Sequence, residues 1–124
     1  MKIQITNHAK QRYRERMLNG SHDINILPLM LKQIREGKDI TENIYDKIPR
    51  YILYLYEKYG QLGQRIIRNG DEIFILRQPD KTIDCIYVLT CIKNEKYLSN
   101  FENTSQSRAE IFLKIKQIKS KLKN

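Results

Sequence analysis

His8, Arg12 and Arg16 fall four residues apart in the stretch from Ile5 to Met17. Positions four apart stack on one face of a helix, so the three make a stripe of one imidazole and two guanidiniums. Such a stripe binds anions, and its imidazole can move a proton near neutral pH. Ala9, Tyr13 and Met17 recur at the same spacing and form an apolar stripe beside it. One face can therefore dock on a core while the next stays available. Thr6 or Asn7 can cap this helix, a side-chain oxygen accepting a backbone N–H that the first turn leaves unpaired. A solvated basic face with a capping or packing histidine is the plainer interpretation of the same residues.

The elements that must hold this stripe come from one modest core. A chain of 124 residues suits a single domain, and 40% apolar against 30% charged residues favours folding over disorder. No run of about 18 apolar residues offers a membrane span. Met1 to Gln4 runs straight into the first helix without a signal-peptide core, so a cytoplasmic protein with no membrane partner is expected. Cys85 and Cys91 share one apolar run, six residues apart. In an extended strand they lie on one face but too far apart to bond. With only His8 and His22 besides, no metal site and no cofactor is expected, and both cysteines are read as reduced core residues.

The net charge of +9 sits at the two ends. Residues 1–18 carry Lys2, Lys10, Arg12, Arg14 and Arg16 against Glu15. Residues 108–124 carry Arg108, Lys114, Lys116, Lys119, Lys121 and Lys123 against Glu110. Such clustering favours a polyanionic partner, nucleic acid or an acidic protein surface, with solubility as the plain alternative. Lys10, Arg14, Lys114, Lys116, Lys119, Lys121 and Lys123 are the candidate nucleic-acid contacts.

Asn19-Gly20-Ser21 reads as a turn. Leu27, Met30, Leu31 and Ile34 then follow helical spacing, with Asp23 or Asn25 as cap, Pro28 in the first turn and Gly37 as a left-handed C-terminal stop. Residues 38–50 read as a loop with one helical turn at Glu42–Lys47. The run Tyr51 to Tyr56 suits a strand, a helix from Pro49 to Gly60 being the rival. Tyr51, Tyr54, Tyr56 and Tyr59 are candidates for base stacking or phosphate contacts, or plain half-buried sheet residues. Asn69-Gly70 is a strong hairpin signal, and it pairs Arg68 with Asp71, Ile66 with Ile73 and Arg65 with Phe74. A second turn at Gln78–Lys81 leads to a strand from Ile83 to Ile92, completing a three-stranded antiparallel meander over residues 62–92.

Alternation along that meander puts Ile66, Ile73, Ile75, Ile86, Val88 and Ile92 on one face. The other carries Ile67, Phe74, Leu76, Ile83, Cys85, Tyr87 and Leu89 with Arg65 and Glu72. Both are too apolar for water, so either helices cover both or a partner covers one. Ser105 to Lys123 read as a long basic helix whose stripe of Ile111, Ile115, Ile118 and Leu122, with Phe112 alongside, packs on the sheet or pairs with a second copy.

The order helix, helix, meander, with His8-Ala9-x-x-Arg12-x-x-x-Arg16 and the strand Tyr87-Val-Leu-Thr-Cys-Ile92, resembles small bacterial and phage domains of the barnase, colicin-nuclease and RelE-like toxin ribonuclease kind. The resemblance spans about residues 3–93. It implies an α+β fold, two N-terminal helices packed on a twisted antiparallel sheet of three or four strands. The chain divides into that domain over 1–103 and a basic amphipathic C-terminal helix over 104–124, which lies outside the resemblance. It implies a bacterial or phage-infected host cell. It also implies metal-independent RNA cleavage, the 2′-hydroxyl attacking the adjacent phosphate, with RNA preferred to DNA as partner. His8 would then be the proton-transfer group, and Arg12 and Arg16 would hold the phosphate. Arg65 joins them on the strength of the hairpin register, with Tyr87, Thr90 and Glu57 as weaker candidates. The alternative is a non-catalytic inhibitor from a phage or mobile element. It would bind a host defence or nucleic-acid-handling complex through its basic surface, as a toxin of this kind would bind an antitoxin. A structural protein that dimerises through the terminal helix is the third expectation.

Overall fold

The segment Lys2–Ile5 is a strand, β1, and not a lead-in to the first helix. It pairs in parallel with β5 (Cys85–Lys93), Ile3 opposite Ile86 and Ile5 opposite Val88. The computed structural model describes residues 2–18, 20, 25–60, 63–78, 85–93, 95–102 and 104–123. His22, Asp23 and Ile83 lie outside them, as do most of the turns expected at 19–21 and 78–81.

Helix α1 (Asn7–Met17) starts as its sequence requires: the Thr6 hydroxyl oxygen accepts from the Ala9 N–H at 3.1 Å. Its Ala9 and Tyr13 are buried. Helix α2 (Ile26–Glu36) is capped by Asn25, and its buried stripe is Ile26, Met30 and Ile34, with Leu27 turned outward. Gly37 follows with φ of −78°, so it is no left-handed stop. What requires glycine there is space, because a Cβ would lie 2.5 Å from Ile67 Cγ2. The expected loop after it holds a short strand β2 (Lys38–Asp39) and helix α3 (Thr41–Lys47).

Residues Pro49–Tyr59 form helix α4, the rival and not the favoured reading of the tyrosine-rich run. Pro49 sits at its start, where a missing N–H costs nothing, and Gly60 ends it in the left-handed region at φ 60°. Tertiary burial overrides the strand propensity: Tyr51, Ile52, Leu53, Leu55 and Tyr56 are all enclosed, as in a helix covered on most sides.

Strands β3 (Gln64–Asn69), β4 (Glu72–Arg77) and β5 form the expected antiparallel meander. The full sheet has five strands in the order β1-β5-β4-β3-β2, so it is mixed and wider than expected. The hairpin loop is Gly70-Asp71, not Asn69-Gly70, and the register slips accordingly: Asn69 pairs Glu72, Ile66 pairs Ile75 and Arg65 pairs Leu76. A slip of two positions keeps every β3 and β4 side chain on its expected face.

In β5 the faces do change. A bulge lets Ile75 pair Thr90 while Leu76 pairs Val88, so Leu89 is the extra residue. Alternation is reversed across it. Ile86 and Val88 therefore join Ile67, Phe74, Leu76 and Cys91 under α1 and α2. Ile92 stays with Ile66, Ile73 and Ile75 under α3, α4 and the C-terminal helix. The two cysteines consequently do not share a face. Helices cover both sides of the sheet, which answers the question its apolar faces posed.

A 3-10 helix, Glu95–Phe101, fills the expected polar connection and buries Leu98. Helix α5 (Arg108–Lys123) lays Ile111 and Ile115 into the cluster of α4 and the sheet, with Ile118, Leu122 and Phe112 against it. Each buried isoleucine contributes about 1.5–3 kcal/mol. Residues 104–123 thus share the core of the preceding ones, and the stripe available for a dimer seam is covered from within the chain. Among the described residues no helix is long and apolar enough to cross a membrane.

Gly37→Ala is expected to lower unfolding stability by about 1–3 kcal/mol through overpacking. The loss should shrink when Ile67→Ala first removes the opposing methyl, which a double-mutant cycle in urea measures.

Candidate functional site

The exposed stripe of α1 is completed by α4. At helical pitch Tyr51, Tyr54, Leu55, Lys58 and Tyr59 fall on one side of α4. They face His8, Arg12 and Arg16 across a narrow cleft of about 70 Å³, closed by Thr90 and Ile92 of β5 and by Tyr97 of the 3-10 helix. No carboxylate is among these lining residues.

Two contacts fix α1 in this position. Beyond Val88, β5 has no strand on its outer side, and α1 takes over. The Thr6 backbone N–H and hydroxyl both donate to the Val88 carbonyl, and Arg16 Nη1 donates to the Cys91 carbonyl. The guanidinium has five donors, so this bond leaves others for the cleft. Arg12 is paired with Glu15 at 2.9 Å, an exposed contact of small energetic weight. Hydrogen bonds from Arg12 and Gln11 hold the Glu15 carboxyl below its usual range.

The α4 wall is rigid. Tyr51 stacks on Tyr54 at 5.8 Å between ring centroids, and Phe101 meets both at 5.0 Å. The Lys58 ammonium sits 5.7 Å from the Tyr54 ring centroid and 5.5 Å from that of Tyr59, in cation–π range. Burial raises the phenol pKa of Tyr51, Tyr59 and Tyr97, so these hydroxyls stay protonated donors well into alkali. Burial likewise pushes the Cys91 thiol up to about 12, which makes it inert packing.

Of the expected catalytic set, His8, Arg12 and Arg16 are brought together, and Thr90 joins them. Arg65 is not. It lies on the α2 side of the sheet in a separate groove with Ile3, Ile34 and Arg35, where its Nε bonds Asp39 at 3.0 Å. The slipped register sets it opposite Leu76, not an aromatic. Glu57 is exposed on α4 and paired with Arg50 at 3.0 Å. Tyr87 is half-buried away from the cleft lining.

Lys10 and Arg14 line another side of α1, with Asn7 and Gln11. On α5, Lys114, Lys116, Lys121 and Lys123 are exposed, whereas Lys119 is half-buried over the rings of Tyr45 and Tyr56 at 5.5 and 5.6 Å. Lys119 is therefore tied into packing, unlike its neighbours.

Lys58 and Tyr97 are the residues that sequence reasoning passed over. Helical spacing from Tyr51 would have found Lys58 once α4 was read as a helix. Nothing local marks Tyr97, which arrives through the chain after β5. Among the described residues no group of three or more His, Cys, Asp or Glu is placed to hold a metal ion. No protein-family model, curated protein or solved structure matches this chain.

Arg65→Gln is expected to cost less than about 1 kcal/mol of stability at neutral pH. Burial raises the Asp39 carboxyl, but hydrogen bonds from Thr41 and Arg65 outweigh it and leave it below its usual value. A depressed carboxylate stabilises the fold above its unfolded pKa and loses that contribution as pH falls through the folded one. The difference between wild type and Arg65→Gln should therefore begin to shrink near about pH 4 and vanish only below the depressed folded value of Asp39, as urea titrations at stepped pH will read.

Proposed function

We propose that this chain binds RNA in the α1–α4 cleft and cleaves it as a metal-independent endoribonuclease. One observation carries the reading: an imidazole, two guanidiniums and a lysine converge on a cleft with no carboxylate among its described lining residues and with tyrosines for its other wall. A phosphodiester needs this combination. His8 would take the proton of a 2′-hydroxyl, and the freed oxygen would attack the adjacent phosphorus. Arg12, Arg16 and Lys58 would stabilise the charge that grows on the phosphorane oxygens. The tyrosine rings offer surfaces on which an unpaired base stacks.

A second reading has its own observation. Lys114, Lys116, Lys121 and Lys123 of α5 are exposed while the apolar side of that helix is buried. A phage or mobile-element inhibitor could use them on the nucleic-acid groove or acidic face of a host complex without any cleavage.

Mixed RNA incubated in EDTA with the full chain separates the two. Wild type should cut, and His8→Ala should be slowed at least about 100-fold with an unchanged melting temperature. If neither protein cuts, but Lys→Glu changes at positions 114, 116, 121 and 123 abolish a salt-sensitive binding to RNA or to a host complex, the binder reading stands in its place.

A further inference from the structure

Cleavage by a 2′-hydroxyl needs an acid as well as a base, because the departing 5′-oxygen must be protonated. Among the described residues one histidine lines the cleft, so a second group is needed as the acid. The geometry points to Tyr54 as the general acid of the cleft, with Tyr97 as the residue that positions it. Tyr54 has this role only if the cleft cuts RNA as proposed above.

The tyrosines of the cleft are not equivalent. Tyr51 is 2% exposed, too enclosed to meet a substrate. Tyr59 keeps its proton as well, but among the described residues its ring is steadied only by Lys58 on its own helix and not by a second ring. Tyr54 is half-buried, its ring held between Tyr51 and Phe101, so its hydroxyl is fixed in place at the cleft wall. Tyr97 is hydrogen-bonded to Tyr54, so the Tyr54 oxygen can accept from it once its own proton is given up. A phenol whose oxygen accepts a hydrogen bond still has its own proton to give. The Lys58 ammonium lies over the Tyr54 ring, 5.7 Å from its centroid.

The step balances as follows. His8 takes the 2′-hydroxyl proton, and the 2′-oxygen forms its bond to phosphorus. The bond from phosphorus to the 5′-oxygen breaks, its electron pair going to that oxygen. The oxygen takes the Tyr54 proton. The products are a 2′,3′-cyclic phosphate and a 5′-hydroxyl end. His8 is left as imidazolium and Tyr54 as phenolate held by Tyr97, and water carries the proton back from one to the other.

A leaving group that needs no proton tests this directly. The probe is an RNA oligonucleotide with its ordinary bridging 5′-oxygen, beside the same oligonucleotide with sulfur at that bridge. Tyr54→Phe should slow cleavage of the oxygen substrate at least about 100-fold and leave the sulfur substrate cut at the wild-type rate. Tyr97→Phe should lower kcat on the oxygen substrate by a smaller factor, with KM unchanged and the sulfur substrate unaffected. His8→Ala should slow both. Equal losses on the two substrates for Tyr54→Phe, no loss on either, or the oxygen–sulfur split appearing instead in Tyr59→Phe would overturn the assignment while leaving the ribonuclease reading in place. If the wild type cuts neither substrate, that reading falls and the role of Tyr54 with it.

Discussion

Strand β5 runs out of neighbour after Val88, and its remaining outer carbonyls have to be satisfied. Buried or half-buried backbone acceptors are costly to leave unpaired, so this is a strong local demand. Helix α1 meets it at two points, Thr6 on Val88 and Arg16 on Cys91. Those two bonds set the height and the rotation of α1 against the sheet. With the rotation set, Ala9 and Tyr13 must face the core, Tyr13 stacking on Phe74 at 6.0 Å, and His8, Arg12 and Arg16 must look past the sheet edge. One arginine thereby serves both the fold and the cleft.

The bulge at Leu89 belongs to the same arrangement. By reversing the alternation it brings Thr90 and Ile92 to the α4 side just where β1 has ended. The cleft is therefore a product of the sheet edge, with its two walls drawn from the two helical layers. Its polar side chains come from α1 and its rings from α4 and the 3-10 helix. A site built at such a junction is held by rigid elements on both sides and remains open outward.

Electrostatics and packing divide the basic residues into groups with different work. Arg65 neutralises Asp39, Lys119 rests on two aromatic rings, and Arg50 answers Glu57. Arg12, Arg16 and Lys58 converge on one space, and four lysines of α5 stand out in water. The net charge of +9 thus includes one focused site and one diffuse helix face, with Lys10 and Arg14 on a further side of α1. A cleft lined by charge of one sign focuses the field and raises the local concentration of an anionic ligand.

The sequence by itself determined whatever depends on short spacing. The two stripes of α1, its Thr6 cap, the stripe of α5 and the β3–β4 hairpin all follow from residues within a few positions of each other, where helix pitch and strand alternation act alone. The grouping of His8, Arg12 and Arg16 was legible for that reason. Tertiary structure decided the rest. The parallel pairing of β1 rests on partners more than 80 positions away, and the bond from Arg16 to Cys91 spans 75. The run Tyr51 to Tyr56 has strand-like composition but lies enclosed between a sheet face and α5, where burial, not propensity, chose the helix. The bulge at Leu89 left no local mark, and neither did the meeting of Tyr97 with Tyr54. Such contacts arise only when distant segments compete to cover the same apolar face and the same unpaired carbonyls, which no local pattern encodes.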